Sequence, residues 1–156
     1  MTGPPGAGKT TRCAEEVLSS ARGVVIPMDD LRLWVRSGLA DSVPWTDETK
    51  RQFTLAEEGA FRLALVYLGA GFDVWIDHCR NLPRWENVLD SFARELAEVE
   101  VRKLLVLPAL EVNLAQNASR TNKDFDPAVL VATIEGTYAR YEADLPGVQG
   151  WEIVGR

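Results

Sequence analysis

The sequence predicts an α/β fold: a parallel sheet flanked by helices on both faces. Three observations carry that reading. Short apolar runs, the β-branched Val24-Val25-Ile26 and the run Leu104-Leu105-Val106-Leu107 among them, alternate with segments of helical period. No repeat or low-complexity tract interrupts the alternation. A glycine-rich stretch, Gly3 to Thr10, stands immediately before the first helical segment. The length of 156 residues suits one domain spanning 1–156.

Each element has its own signal. Lys9 to about Ser20 reads as the first helix, with Gly23 as its C-terminal cap. Val24 to Ile26, stopped by Pro27, is a strand apolar enough to be buried on both faces. Asp29 and Asp30 follow at its carboxyl end, where open α/β sheets place their sites, ahead of a helix carrying Leu31, Leu33 and Trp34. Pro44 and Trp45 lie in a loop, and Thr46-Asp47-Glu48-Thr49 opens a long helix with Phe53, Ala56, Ala60, Leu63, Ala64, Tyr67 and Leu68 on one face. Gly69-Ala70-Gly71 ends it. Val74-Trp75-Ile76 is the next strand, closing on Asp77. Pro83 opens a helix whose inward face is Trp85, Val88, Leu89, Phe92, Leu96 and Val99. Val101 to Leu107 is a strand, and Glu111 to Arg120 a helix. Pro127 opens a further helix with Leu130, Ile134, Tyr138, Tyr141 and Leu145 on one face, and Trp151 to Val154 is the last strand.

Gly3-Pro4-Pro5-Gly6-Ala7-Gly8-Lys9-Thr10 is a complete G-x-x-x-x-G-K-[ST] phosphate-binding loop, and Thr11 follows it. Glycines let successive backbone N–H groups turn inward and cradle phosphate oxygens. Lys9 supplies a point charge for the β- and γ-phosphates, and the Thr10 hydroxyl is a ligand for Mg²⁺. The helix that starts here aims its positive end at the same anion. A buried apolar strand normally precedes such a loop, yet only Met1 and Thr2 stand before Gly3. The expectation is therefore a fold whose first strand is missing at the N-terminus, from a natural chain with about five more apolar residues there.

Composition narrows the function classes. Hydrophobic residues make up 46% and charged residues 26%, as in a globular domain. No apolar run is long enough to cross a bilayer, and no secretory leader is visible, so a cytoplasmic protein without a membrane partner is expected. The only cysteines, Cys13 and Cys79, do not make a disulfide framework and are expected to be reduced. A net charge of −6 argues against a broad nucleic-acid surface.

Several short motifs, taken in order, resemble one kinase group: the glycine-rich loop, Asp29-Asp30-Leu31-Arg32, Ile76-Asp77-His78 with Asn81-Leu82-Pro83, and Asn117-Ala118-Ser119-Arg120. Over almost the whole chain this is similar to the phage-type polynucleotide 5′-hydroxyl kinases and zeta-toxin-like kinases among the AAA-type P-loop NTPases. The resemblance implies an ATP- and Mg²⁺-dependent transfer of the γ-phosphoryl group to a hydroxyl. It implies Asp29 as the base that takes the acceptor's proton, Arg32 as the grip on an acceptor phosphate, and Arg120 as an arginine of a lid over about 113–127. Many relatives carry a second arginine a turn earlier, where this chain has Gln116 or nearby Asn113.

The residues admit other readings. Asp29 suits a helix cap as well as a base. Asp77 suits a turn cap as well as an Mg²⁺ ligand, direct or through water. Arg80, with Arg84, suits either an acceptor phosphate or solvent. His78, the one histidine, reads first as structural. Trp34 and Trp45 read as packing rather than as platforms for a base. The acceptor is read first as a polynucleotide 5′-hydroxyl end, and otherwise as a small phosphorylated molecule or nucleotide sugar. An ATPase module that couples nucleotide state to a partner is the reading from a different class.

Overall fold

The computed structural model describes residues 1–42, 44–119 and 126–155. It divides into two compact units, Met1–Lys9 with Cys79–Arg156 and Thr10–His78. Helices and short parallel strands alternate in both, as the sequence predicts.

In the Thr10–His78 unit, strands β1 (Gly23–Pro27) and β2 (Asp73–Asp77) pair in parallel, with Val25 opposite Trp75 and Pro27 opposite Asp77. Helix α1 (Lys9–Val17) leads in from the loop and buries Cys13. It is shorter than expected. Its last amides bond back three residues, Leu18 to Glu15 and Ser20 to Val17, which tightens and ends the helix and leaves Gly23 to open β1 rather than cap α1. Only Ile26 of β1 is fully buried, so the strand is not covered on both faces throughout. Helix α2 is short, Met28–Arg32, and α3 runs 23 residues from Asp47–Gly69. The start of α3 is fixed by a reciprocal cap: the Thr46 side chain accepts from the Thr49 amide and the Thr49 side chain accepts from the Thr46 amide.

The inward face of α3 is more polar than its apolar spacing suggests. Thr49, Gln52 and Glu57 are buried beside Ala56, Ala60, Phe61 and Ala64. Two of these polar side chains organise the loop before the helix. The Gln52 amide donates to the Gly38 carbonyl at 2.8 Å and accepts from the Ala40 N–H at 3.0 Å, while the Thr49 hydroxyl donates to the Asp41 carbonyl at 2.7 Å. Buried polar groups satisfied in this way fix one loop path, because any other would strand a donor or acceptor out of water.

The other unit contains β3 (Lys103–Val106) paired in parallel with β4 (Trp151–Val154). Helices α4 (Leu82–Ser91), α5 (Leu110–Ala118) and α6 (Val131–Asp144) belong to it, with a 3₁₀ turn at Pro127–Leu130 before α6. Its core gathers Leu82, Leu105, Leu107, Ile134, Tyr138 and Tyr141. A polar clamp reinforces it: Glu86 of α4 accepts from Lys103 Nζ at 2.9 Å and from Trp151 Nε1 at 2.6 Å. Helix α4 stops at Ser91, so Leu96 and Val99 lie in turns beyond it.

The four strands thus form two parallel pairs among the described residues, where one continuous sheet was expected. Thr2 alone pairs in parallel with Leu105, its N–H donating to Leu104 at 2.9 Å and its carbonyl accepting from Val106 at 2.8 Å. One residue makes one bridge and no ladder. The Thr2 side chain is fully buried. Its hydroxyl donates to the Arg80 carbonyl at 2.7 Å, accepts from the Arg80 N–H at 3.0 Å, and lies 3.1 Å from the Tyr141 hydroxyl, which also donates to Arg80. Burial foremost, then the nearby Cys79 charge, raises the Tyr141 pKa well above its ordinary value, so this hydroxyl stays a donor.

Thr2→Val keeps the shape and removes these side-chain bonds. It should lower the unfolding free energy by about 1–3 kcal/mol, the cost of stranding buried polar groups. Chemical denaturation followed by circular dichroism checks this, and an unchanged midpoint would show that the bonds add nothing.

Candidate functional site

The phosphate-binding loop starts where Thr2 leaves β3. A Cβ on Gly3 would lie 2.3 Å from the Val106 carbonyl oxygen, so only glycine allows the backbone to pass this close. Gly6 has φ +81°, in the left-handed region that residues with a Cβ rarely adopt. Pro4 to Ala7 form a turn in which the Ala7 N–H reaches the Pro4 carbonyl at 3.3 Å. Lys9 Nζ donates to the same carbonyl at 3.1 Å, which folds the ammonium back over the loop. Gly8, Thr10 and Thr11 are exposed.

In the Thr10–His78 unit the Thr10 hydroxyl donates to Asp77 Oδ2 at 2.6 Å. Asp77 ends β2 and is buried, with 7% of its surface exposed. Its other oxygen, Oδ1, is buried with no hydrogen-bond partner among the described residues. A buried carboxylate oxygen without a donor calls for a cation or water. A hydroxyl and a carboxylate are hard oxygen donors, and Mg²⁺ is commonly held by one or two such groups while phosphates and water complete its shell. Thr10 and Asp77 therefore fit the cation that the loop implies.

Asp29 lies in the first turn of α2. The cap position belongs to Pro27, which makes no side-chain cap bond, so Asp29 is not the cap that propensity allows. Its carboxylate is largely exposed, with Oδ1 3.5 Å from His78 Nδ1. Arg32 is half-buried. Its Nη1 donates to the Ala40 carbonyl at 2.7 Å, and its guanidinium lies 4.7 Å from the centre of the Phe53 ring. This holds the cation at the carboxyl end of the short helix. Arg80 is placed in the other unit, where its main chain meets Thr2. Arg120 lies outside the described residues, as does the rest of the stretch 120–125 in the anticipated lid. Trp34 and Trp45 are not core residues: they are 69% and 52% exposed, and Trp45 stacks one face on Phe53 at 5.2 Å.

Sequence reasoning missed two features. On α5, Asn113 and Asn117 are both buried and face the loop: a Cβ on Gly6 would meet Asn113 Oδ1 at 3.2 Å and Asn117 Cβ at 3.4 Å. Asn117 Nδ2 also donates to the Pro127 carbonyl at 2.8 Å, which ties the end of α5 to the turn before α6. Two asparagines four apart on one helix, and so on one face of it, were the available signal. The second feature is Glu57, buried on α3 with Oε1 3.7 Å from His78 Nε2. A lone acidic residue inside a helical apolar stripe was the signal there.

A family model described as an AAA domain matches residues 1–143. The chain belongs to the AAA domain family. This family of P-loop NTPase-like proteins includes P-loop kinases, and it implies nucleotide binding for this AAA domain. No curated protein matches the chain. Both cysteines of the AAA domain are free, Cys13 buried and Cys79 half-buried. No helix among its described residues is long and apolar enough to cross a membrane.

Proposed function

We propose that this AAA domain is an ATP- and Mg²⁺-dependent phosphotransferase that moves the γ-phosphoryl group to a hydroxyl acceptor, with a polynucleotide 5′-hydroxyl end as the first candidate. The observation that carries the reading is the complete glycine-rich loop with the Thr10 hydroxyl bonded to a buried aspartate that has an open oxygen. A loop that only shaped a turn would have no need of that carboxylate.

The residues divide the work. Backbone N–H groups from Gly3 to Thr11 receive the phosphates, and Lys9 exchanges the Pro4 carbonyl for phosphate oxygen. Thr10 and Asp77 would hold Mg²⁺, which would supply charge neutralisation at the phosphate oxygens. Asp29 orients the acceptor hydroxyl and accepts its proton as the oxygen–phosphorus bond forms and the bond to the departing ADP oxygen breaks. Arg32 and Arg80 are assigned to the acceptor's phosphate, because a guanidinium grips two phosphate oxygens at once. Arg120 is assigned to the charge on the moving phosphoryl group. One domain, a lid over about 113–127 and a cytoplasmic setting belong to the same proposal.

The exposed position of Asp29 beside Arg32 on one short helix favours a kinase over a plain ATPase, which has no use for a base aimed at a hydroxyl substrate. An acceptor with its own phosphate next to the reacting hydroxyl, a nucleic-acid end or a small phosphorylated molecule, suits the cation at Arg32.

Lys9→Ala should keep the fold and weaken ATP binding on the order of 10- to 100-fold, the value of one charge-assisted contact. Calorimetric titration with ATP and Mg²⁺ measures this, and undiminished affinity would make the loop a structural turn. Arg32→Ala should raise the KM of acceptors with an adjacent phosphate by a similar factor and leave acceptors without one unaffected. Equal losses on both kinds would remove Arg32 from the acceptor site.

A further inference from the structure

Two asparagines of α5 lie against the phosphate loop. Asn113 is fully buried and Asn117 nearly so. A Cβ on Gly6 would meet Asn113 Oδ1 at 3.2 Å and Asn117 Cβ at 3.4 Å, so the helix touches the loop at its left-handed turn. The spacing of the two residues puts both side chains on one face of the helix. Their bonding differs. Asn117 donates through Nδ2 to the Pro127 carbonyl at 2.8 Å. Neither Oδ1 nor Nδ2 of Asn113 has a hydrogen-bond partner among the described residues. The helix itself is firmly set. Leu107, Pro108 and Ala109 join it to β3, the strand that seats Thr2, and the Tyr138 hydroxyl donates to the Pro108 carbonyl in that link at 2.6 Å. Loop, strand and helix all belong to the unit of Met1–Lys9 with Cys79–Arg156.

A buried amide without partners costs free energy, and a side chain kept at that cost calls for a reason. A leucine would have a similar branched outline with no polar atom to satisfy. The loop supplies the reason. Lys9 is folded back on the Pro4 carbonyl, and the Ala7 N–H turns to the same carbonyl. Phosphate draws Lys9 off that oxygen, and the turn from Pro4 to Ala7 loses one of these ties. An amide carries a donor and an acceptor on one carbon, so it can meet either a carbonyl or an N–H of the adjusted turn. We propose that Asn113 is the positioning residue of the phosphate loop: its amide hydrogen-bonds the main chain at Gly6 when phosphate is bound, and so favours the loop arrangement that binds it. This rests on the reading of the loop as the nucleotide site. Asn113 exchanges no atom in the transfer and acts through Gly6. Its bond exists in one loop arrangement and not in the other, and that difference is what reaches the affinity. Asn117 is the contrast. It is the same residue type one turn along, and its bond to Pro127 is already made.

The test uses the whole chain, titrated calorimetrically with ATP and Mg²⁺ and melted without nucleotide. Asn113→Leu removes an unmet donor and acceptor from the interior. It should raise the thermal midpoint of the nucleotide-free chain by about 2–4 °C and weaken ATP binding about 3- to 10-fold, the value of one neutral hydrogen bond. Asn117→Leu strands the Pro127 carbonyl and should lower the midpoint instead. The rise in stability with the fall in affinity separates this role from ordinary packing, whose loss lowers both. In NMR, the side-chain NH₂ signals that Asn113→Leu removes should shift downfield when ATP and Mg²⁺ are added to the wild type. If Asn113→Leu is destabilised or unfolded, Asn113→Ala and Asn113→Ser, alike in size, decide the matter. Asn113→Ser keeps a donor and an acceptor and should bind ATP more tightly than Asn113→Ala. With Lys9→Ala weakened as expected, three results overturn this proposal alone: equal affinity in those two variants, wild-type affinity in Asn113→Leu, or unmoved Asn113 signals. No ATP binding by the wild type, or undiminished binding by Lys9→Ala, overturns the nucleotide loop and this proposal together.

Discussion

The structure depends on how Thr2 is seated. Its backbone N–H and carbonyl both bond to β3, and its buried hydroxyl bonds to the Arg80 main chain. A single residue thus does the work of a strand: it sets the point at which the glycine loop leaves the sheet. From there the loop has little choice. Gly3 passes so near the Val106 carbonyl that no side chain fits, and Gly6 turns left-handed against Asn113 and Asn117. A phosphate cradle has to be rigid before its ligand arrives, because ordering it on binding would be paid from the affinity.

The second constraint is electrostatic. The carboxyl ends of β1 and β2 gather acids: Asp29 just after the first and Asp77 at the end of the second, with Glu57 reaching in from α3. Each has a different answer to its charge. Asp77 accepts from the Thr10 hydroxyl, and its other oxygen is buried with no hydrogen-bond partner among the described residues. Glu57 faces the His78 ring. Asp29 stays largely in water.

Much of this was legible in the sequence. The loop motif, the alternating elements and the helix starts at Thr46 and Pro83 are local signals, and local chemistry produced them. Asp77 was read from its place at a strand end as an Mg²⁺ ligand or a turn cap, and its bond to the Thr10 hydroxyl came only with the structure. What the sequence hid depends on tertiary position. Buried Gln52 and Glu57 look like surface residues until the loop and His78 are placed around them. Asn113 marks only a departure from a family pattern until its distance to Gly6 is known. Trp34 and Trp45 are apolar by type and exposed in fact, because α2 ends before a helical face can carry Trp34 inward. The division of the strands into two pairs also escaped the reading, since alternation predicts parallel strands but not which ones touch.

The most direct measurement follows the label from γ-labelled ATP and Mg²⁺ in the presence and absence of a 5′-hydroxyl oligonucleotide. The account predicts label on the oligonucleotide's 5′ end and little free phosphate without it. Free phosphate released at the same rate with and without acceptor, and no labelled oligonucleotide, would contradict it.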